Sequence, residues 1–459
     1  MLICRRKRKQ TTHIATMTTT LAFAVRRREP ELVGPAAPTP RETKRLSDVD
    51  DQDTLRAHVR LMFYYRGGPR AGDDPAGVIR RALGEALVPY YPLAGRLREV
   101  EGRKLVVDCT GEGVMFVEAD ADVRLPQLEA ATGMRPPFPC MDQLLFDVEG
   151  SDGVLNCPLL LIQVTRLHCG GFVFALRLNH TMCDADGTAQ FISAVAELSR
   201  GHPTPTVTPV WSRELLEARG PPDPAFPHRE CDALPAPPPL PPGDTITRTF
   251  TFAPRDVAAI KKRLPPRLRD TATSFEAITA ALWRARTAAL QLAPDEEARL
   301  VIVANCRKVP ELGLPGGYYG NAAVFPAALT TAGALAAGSL GDAVDLVREA
   351  KAAVTAEFAR SAADLLALRG QPAVARANTF LVSDNRHAGF HRVDFGWGVP
   401  VFGGAVTAVF WASFIIAVAN GDAVPVTLPR AAMDRFAAEL EMIVAMPVDQ
   451  AAPTPRGRL

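Results

Sequence analysis

A histidine and an aspartate four residues apart, His180 and Asp184, stand in the stretch RLNHTMCDADGTAQF at residues 177–191. An imidazole with an ordinary pKa near ~6.5 accepts a proton at neutral pH, which is what deprotonation of a hydroxyl requires. The alcohol can then attack an activated carbonyl, from which a thiol with a pKa of about 8.5 leaves readily. The HxxxD spacing alone is a weak pattern, since a single histidine is more often structural.

The elements around these two residues are predicted to hold them at a cleft. His180 follows the apolar run FVFALRL, a predicted strand, and Gly187 opens the helical stretch GTAQFISAVAELSR, which ends at Gly201. The histidine therefore stands at the end of a strand, with its ring free to face a cleft. Asp184 lies in the turn before the helix, where it can brace the loop, cap the helix or pair with a distant cation without touching the imidazole.

Other chemistries have weaker support in the sequence. Cys183 lies in the same turn as His180 and could form a Cys–His pair, although an inert buried thiol is the simpler interpretation. The chain has no GxSxG elbow, no phosphate-binding lysine loop and no GxGxxG fingerprint, so serine hydrolases, P-loop NTPases and dinucleotide-binding enzymes lack their motifs. Without HExxH or clustered Cys and His residues, we expect no metal.

The charge of the chain is unevenly distributed. The formal net charge is +2, but five basic residues lie within residues 5–9; without residues 1–16 the chain keeps 47 of its 52 basic residues against 50 acidic ones. A near-neutral body argues against nucleic-acid binding. The leader at residues 1–16 could be a transit segment, a nuclear-localisation cluster or sequence upstream of a true start at Met17, the last being our preferred interpretation.

Cysteine usage and hydropathy predict a soluble cytoplasmic protein. Eight cysteines are scattered without CxxC pairs or a preceding signal peptide, as expected for reduced thiols. No apolar run approaches the roughly 18 residues of a membrane span.

A proline-rich stretch at residues 203–245 divides the chain into two halves of α/β texture. Proline removes backbone donors and fixes φ, so we expect an extended connection there. Residues 1–16 are predicted to be disordered, residues 17–202 to form a first domain and residues 246–459 a second. The patterns predict a hairpin around residues 168–171, one long helix over SLGDAVDLVREAKAAVTAEFARSAADLLAL, and one strand over AVTAVFWASFIIAVA.

HTMCD at residues 180–184 and DFGWG at residues 394–398 resemble the paired motifs of the plant BAHD acyl-CoA-dependent acyltransferases. The order and separation of the two motifs agree with that family. YPLAGRL at 91–97, CGG at 169–171 and GYYGN at 317–321 extend the resemblance to nearly the whole chain after the basic leader.

The resemblance implies a fold and a reaction. The fold is α/β: two chloramphenicol-acetyltransferase-like domains, each a mixed β-sheet flanked by helices, joined by a long crossover loop in a monomer. His180 is then the general base, and Asp184 supports the fold by pairing with an arginine of the second half, for which Arg307 is the best candidate. The DFGWG residues Asp394, Phe395, Gly396, Trp397 and Gly398 are implied to be structural. No tightly bound cofactor is implied, only acyl-CoA as co-substrate and a small-molecule alcohol.

The substrate is left open at several points. GYYGN and NCRKVP resemble the branch of the family that acylates simple alcohols, with acetyl, benzoyl or hydroxycinnamoyl donors. Lys262 and Arg269, in a basic stretch before SFEAITAAL, and Ser274, the first residue of SFEAITAAL, could bind the CoA phosphates, although a solvated helix end and loop explain the basic stretch equally well. A non-catalytic protein that binds acyl-CoA or a partner protein, and an N-acyltransferase acting on an amine, are the alternatives.

Overall fold

The computed structural model describes residues 21–70, 72–233, 244–376 and 378–445. The basic leader expected at residues 1–16 lies outside these ranges. No helix within them is long and apolar enough to cross a lipid bilayer.

Strands and helices alternate along both halves of the chain. The strands are β1 Val25–Arg27, β2 Glu31–Val33, β3 Thr43–Arg45, β4 His58–Tyr65, β5 Arg96–Glu99, β6 Leu105–Asp108, β7 Val114–Ala121, β8 Leu160–Leu167, β9 Phe172–Asn179, β10 Thr245–Phe252, β11 Glu297–Asn305, β12 Ala323–Val324, β13 Ala327–Thr331, β14 Thr379–Asp384, β15 Phe402–Ala405, β16 Ala412–Val418 and β17 Gly421–Pro429. The helices are α1 Pro75–Ala86, α2 Leu125–Thr132, α3 Met141–Leu144, α4 Ala185–Ser199, α5 Pro254–Lys262, α6 Pro266–Arg269, α7 Ser274–Leu290, α8 Ala332–Ala337, α9 Leu340–Ala352, α10 Ala356–Leu368 and α11 Arg430–Ala445.

The first sheet has the order β1-β7-β8-β9-β4-β15, with β2 also paired to β7. Strands β7 and β8 are parallel, whereas the pairs β8/β9 and β9/β4 are antiparallel. Every residue of β9 is buried, because α1 and α4 cover one face of the sheet and a second apolar cluster covers the other. This burial explains why FVFALRL is a continuous apolar run rather than an alternating one.

The second sheet has the order β10-β17-β16-β14-β11-β12, with β13 also paired to β11. The pairs β11/β14 and β14/β16 are parallel, so the carboxyl ends of β11 and β14 lie at the same edge. Helices α7, α9 and α11 share a large apolar cluster with this sheet. Two mixed sheets flanked by helices agree with the expected α/β class.

Two elements differ from the sequence expectation. The predicted long helix is two helices, α9 and α10, because Thr355 leaves the helical conformation and its side chain accepts a hydrogen bond from Phe358 N at the start of α10. The predicted single strand over AVTAVFWASFIIAVA is also wrong. Its first residue belongs to β15 in the first sheet and its last part to β16 in the second, so the chain passes between the sheets at residues 406–411.

The crossover segment is more ordered than a simple tether. In its described part it contains short 3₁₀ turns at Arg213–Leu216 and Arg229–Cys231. Arg213 and His228 are almost fully buried, and Arg219 is bonded to Asp364 of α10. Residues 203–233 therefore pack against the body of the protein.

Candidate active site

His180 follows directly after β9 and is fixed by its backbone. Its N–H donates to Ala57 O, just before β4, at 2.8 Å. The residue is partly exposed, and Nδ1 is buried without a hydrogen-bond partner among the described residues. Since a neutral imidazole accepts a proton through one nitrogen only, the enclosed Nδ1 leaves Nε2 as the nitrogen that can meet a substrate.

Asp184 faces the second half of the chain rather than the imidazole. Its Oδ2 and Oδ1 accept hydrogen bonds from Arg307 at 2.6 and 2.8 Å. Oδ1 also accepts from Gly187 N at 3.0 Å, which caps α4, and Oδ2 from Ala322 N at 3.0 Å. The structure thus places Arg307 against Asp184, as the resemblance implied. The carboxylate holds the turn at residues 180–184 to the second half.

The charge on Arg307 is stabilised by its surroundings. Burial by itself lowers the pKa of the guanidinium, but the adjacent Asp184 and Asp186 raise it more, and the net pKa lies above the ordinary value. Asp186 also accepts a hydrogen bond from Asn305 at the end of β11. Both halves therefore contribute to one polar junction at the first turn of α4.

Side chains from elsewhere in the chain donate hydrogen bonds to the backbone carbonyls of the turn that begins at His180. Asn321 Nδ2 donates to His180 O at 2.9 Å and to Thr181 O at 3.2 Å, and Arg213 donates to Met182 O at 2.8 Å. Asn321 belongs to the GYYGN motif, but its role as a donor was not predicted. Arg213 was not singled out at all, because a lone arginine in a proline-rich segment gives no signal in sequence.

Gly187 allows the second half to approach the first turn of α4 closely. A Cβ built at this position would lie 2.0 Å from Tyr319 O, which is shorter than any real contact. The absence of a side chain is therefore required for the first turn of α4 to pack on the GYYGN segment.

Cys183 is unsuited to act as a nucleophile. The residue is buried, and burial raises the pKa of its thiol to about 12. Because the thiolate is the reactive form, a thiol with this pKa stays protonated at neutral pH. The geometry favours the inert buried cysteine over a Cys–His pair.

The DFGWG loop is stabilised by its own aspartate. Asp394 Oδ1 accepts hydrogen bonds from Gly396 N at 2.7 Å and Gly398 N at 2.8 Å. Both glycines have positive φ, 108° and 91°, a conformation that side chains disfavour. The aspartate and the glycines thus shape the loop.

The aromatic residues of DFGWG pack on the first half. The Phe395 ring lies 5.5 Å from Tyr65 and 4.9 Å from Phe174, between centroids, and Trp397 Nε1 donates to Arg70 O at 2.8 Å. Tyr65 is the last residue of β4, whereas His58, the first, pairs with Asn179 beside His180. At about 3.3 Å per residue along β4, the DFGWG motif beside Tyr65 lies roughly 23 Å from the turn of His180 beside His58.

The predicted CoA-binding residues lie in the part of the chain that runs from the end of α5 to the start of α7. Lys262 ends α5 and Arg269 ends α6, and both side chains are exposed. Ser274 is the first residue of α7, and its Oγ accepts a hydrogen bond from Arg386, just after β14, at 2.9 Å. Ser274 therefore lies at the same sheet edge as Asn305, which ends β11 beside the Asp184–Arg307 pair.

A cleft of about 260 Å³ separates α4 from the second half. One wall is the face of α4 that carries Asp186, Gln190 and Glu197, and the other is the segment at residues 388–392, with residues 205–207 closing one side. The cleft reaches the first turn of α4, which continues from the turn that carries His180. Within the described ranges no three His, Cys, Asp or Glu side chains are arranged to hold a metal ion.

Solved structures with known folds match this architecture. Vinorine synthase superposes with a TM-score of 0.69 at 22% identity, covering 92% of this chain and 98% of that one. F. graminearum TRI101 complexed with coenzyme A and T-2 mycotoxin superposes with a TM-score of 0.71 at 14% identity, covering 86% and 97%. These likenesses define the class of fold, which is chloramphenicol-acetyltransferase-like, and confirm the expected fold.

Sequence comparison identifies the family. The sequence model of the transferase family matches residues 23–443. The chain is 51% identical to benzyl alcohol O-benzoyltransferase of Petunia hybrida, covering 92% of this chain and 94% of that protein, and 50% identical to the Nicotiana tabacum enzyme with the same coverage. An alcohol acyl transferase of Malus domestica is 48% identical over 92% and 95%. The chain belongs to this transferase family, the BAHD acyltransferases, and is an acyltransferase.

Proposed function

We propose that the protein transfers an acyl group from coenzyme A to the hydroxyl of a small alcohol, with His180 as the general base. The names of the Petunia and Nicotiana relatives support benzoyl-CoA and benzyl alcohol as the first pair to test. The Malus relative, named only as an alcohol acyl transferase, keeps acetyl and other donors open. An alcohol acceptor is favoured over an amine because these relatives are named for alcohols.

The reaction is a direct transfer in a ternary complex. Nε2 of His180 takes the hydroxyl proton as the alcohol oxygen attacks the thioester carbonyl. The carbon–oxygen bond forms, the tetrahedral oxyanion collapses, and the carbon–sulfur bond breaks. The proton then passes from His180 to the departing thiolate, so the base is restored. No acyl-enzyme is required, which agrees with the protonated state of the Cys183 thiol.

One observation supports this assignment most: hydrogen bonds to Ala57 of the first half and from Asn321 of the second half fix the backbone of His180, and the Nδ1 atom of its ring is enclosed. A base acts efficiently when its geometry is set before the substrate arrives. The turn continues into α4, which forms one wall of the cleft, and Asp186 in the first turn of that helix is the lining residue nearest to His180 in sequence.

The CoA end of the site is proposed to lie at the start of α7. Lys262 and Arg269 are exposed cations, which suits the pyrophosphate and the 3′-phosphate of CoA. The Ser274 hydroxyl accepts from Arg386, so its own proton is available to a phosphate oxygen. The helix N-terminus adds unpaired backbone N–H groups.

His180→Ala tests the base. We expect kcat to fall by about 10²- to 10⁴-fold with benzoyl-CoA and benzyl alcohol, because proton removal is lost while the fold is kept. The measurement is release of free CoA, with circular dichroism to verify folding. Cys183→Ala, in the same turn, is the matched control and should keep kcat within a few-fold. Near-wild-type turnover by His180→Ala would contradict the proposal.

A further inference from the structure

Asp50 lies in the segment between β3 and β4, far from His180 in sequence, and it is fully buried. Its Oδ1 accepts hydrogen bonds from Arg213 at 2.6 Å, from Asn321 N at 2.9 Å and from Asn321 Nδ2 at 2.9 Å. Its Oδ2 accepts from the backbone N–H and the hydroxyl of Ser47. One carboxylate therefore orients a donor from the crossover segment and a donor from the second half.

The two donors that Asp50 orients are the ones that hold the turn of His180. Asn321 donates to the carbonyls of His180 and Thr181, and Arg213 donates to the carbonyl of Met182. We propose that Asp50 is a positioning residue for the acyl transfer: through Asn321 and Arg213 it fixes three consecutive carbonyls and so sets where the His180 ring stands. This inference rests on the proposed role of His180.

The carboxylate is suited to this task because it is the anion paired with a deeply buried guanidinium. The side chain of Arg213 is about 1% exposed, its Nε has no hydrogen-bond partner among the described residues, and its guanidinium lies 4.5 Å from the ring centroid of Trp211, 5.5 Å from that of Tyr318 and 5.2 Å from that of Tyr319. Without an anion at Asp50 a buried guanidinium would lose its ion pair. We expect it to turn toward water and release Met182 O.

Asp51 provides an internal comparison. It is the next residue and equally buried, and it also pairs with an arginine, Arg56, at 2.8 Å. Its remaining contacts are to Leu105 N and Lys104. All these partners belong to the first half, and none of them touches the turn of His180. The two aspartates therefore share burial and chemistry but differ in what they orient.

The experiment compares Asp50→Asn with Asp51→Asn in the full chain. With benzoyl-CoA and benzyl alcohol, each assayed well below its own Tm, Asp50→Asn should lower kcat by about 10- to 100-fold, the effect of a displacement near 1 Å at a reacting group. Its KM for acyl-CoA should stay within about twofold, because the groups bonded to the Asp50 carboxylate belong to Ser47, Arg213 and Asn321 and not to the proposed CoA-binding residues. Asp51→Asn should keep kcat within about twofold. Equal kcat losses in both variants would overturn the proposal.

Asn321→Ala supplies a second measurement that does not depend on the folding of Asp50→Asn. It removes the donor to the His180 and Thr181 carbonyls and should also lower kcat with little change in KM. In a double-mutant cycle the kcat losses of Asp50→Asn and Asn321→Ala should be strongly non-additive, whereas those of Asp51→Asn and Asn321→Ala should add. Unchanged kcat in Asn321→Ala, or additivity in both cycles, would overturn the positioning role.

The two proposals fail in different ways. If His180→Ala retains turnover, the assignment of the base is wrong. If His180→Ala is inactive while Asp50→Asn behaves like Asp51→Asn, only the role of Asp50 is wrong.

Discussion

At the scale of single residues, the proposed chemistry depends on some groups that are close in sequence and on others that only the fold brings together. His180 and Asp184 are four positions apart, so a local motif reveals them. Asp50 lies 163 positions from Arg213 and 271 from Asn321, and nothing in SDVDDQD distinguishes it from a solvated acidic run. Only the fold shows that this acidic segment is buried. The same distance hides Arg213, whose proline-rich surroundings predicted an extended connection.

The CoA end of the site gives a prediction at this scale. Lys262→Gln combined with Arg269→Gln should raise the KM for acyl-CoA by about fivefold at low salt and leave kcat unchanged, since exposed ion pairs contribute about 1 kcal/mol or less. The effect should shrink at high ionic strength, because exposed charges are screened. Initial rates at varied acyl-CoA and salt concentrations measure it.

Arg267→Gln is the matched control for that prediction. It removes one positive charge from the same segment, but its guanidinium is already paired with Asp345 of α9. We expect its KM for acyl-CoA to stay close to that of the wild type. An equal rise in KM for both variants would mean that only the general positive field matters, and no change in the double variant would remove these residues from the CoA site.

At the scale of elements, periodicity located most helices and strands but missed two breaks. The run SLGDAVDLVREAKAAVTAEFARSAADLLAL keeps helical spacing throughout, so the side-chain cap at Thr355 was the only local sign that it divides. The run AVTAVFWASFIIAVA keeps strand composition although it serves two sheets. The hydrophobic pattern of a sequence indicates which residues are buried. Because residues on both sides of each break are buried, the pattern does not show where the break lies.

The Asp184–Arg307 pair gives a prediction at the element scale, because it joins the start of α4 to the segment after β11. Asp184→Ala should lower the free energy of unfolding by about 3–5 kcal/mol, since it removes the two-point pair of a mostly buried Arg307, leaves it the longer contact with Asp186 at 3.5 Å, and removes the cap of α4. Arg307→Ala should have a similar cost. The double variant should cost less than the sum by about 0.5–3 kcal/mol, as expected for residues in direct contact.

Urea denaturation of the single and double variants measures these costs. Arg267→Ala, which breaks an exposed pair, should cost less than about 1 kcal/mol and serves as the reference for a surface contact. Additive effects of Asp184→Ala and Arg307→Ala would contradict the idea that the pair holds the two elements together.

At the scale of the whole molecule, the two halves are joined by a shared sheet as well as by the crossover segment. Strand β15 comes from the second half of the sequence but pairs with β4 at the edge of the first sheet. DFGWG packs on the same sheet, and Asn321 and Arg307 bind the turn after β9. Composition predicts a division at the proline-rich stretch. The strand exchange depends on pairing between residues more than 330 positions apart, which no local pattern records.

These connections predict that the two halves unfold together. Cys109 is buried in the core of the first half, and Cys306 is buried in an apolar cluster formed mainly by residues of the second half, so their labelling by a thiol reagent reports exposure at two separate places. In a urea series both thiols should become reactive at the same midpoint, because loss of either half removes a strand or a set of ion pairs from the other. Peptide mapping after pulsed labelling measures both positions in one sample.

A pair of glycine substitutions sharpens the prediction. A Cβ at Gly403 in β15 would lie 2.7 Å from a ring carbon of Phe63 and 3.0 Å from Phe390 O, so Gly403→Ala should cost about 1–3 kcal/mol through overpacking. If β15 couples the halves, that variant must shift the labelling midpoints of Cys109 and Cys306 by the same amount. Gly72→Ala, where a Cβ meets nothing within 4 Å, should shift neither. A shift at Cys109 alone would show that the first sheet unfolds without the second half, and β15 would then not couple the two halves.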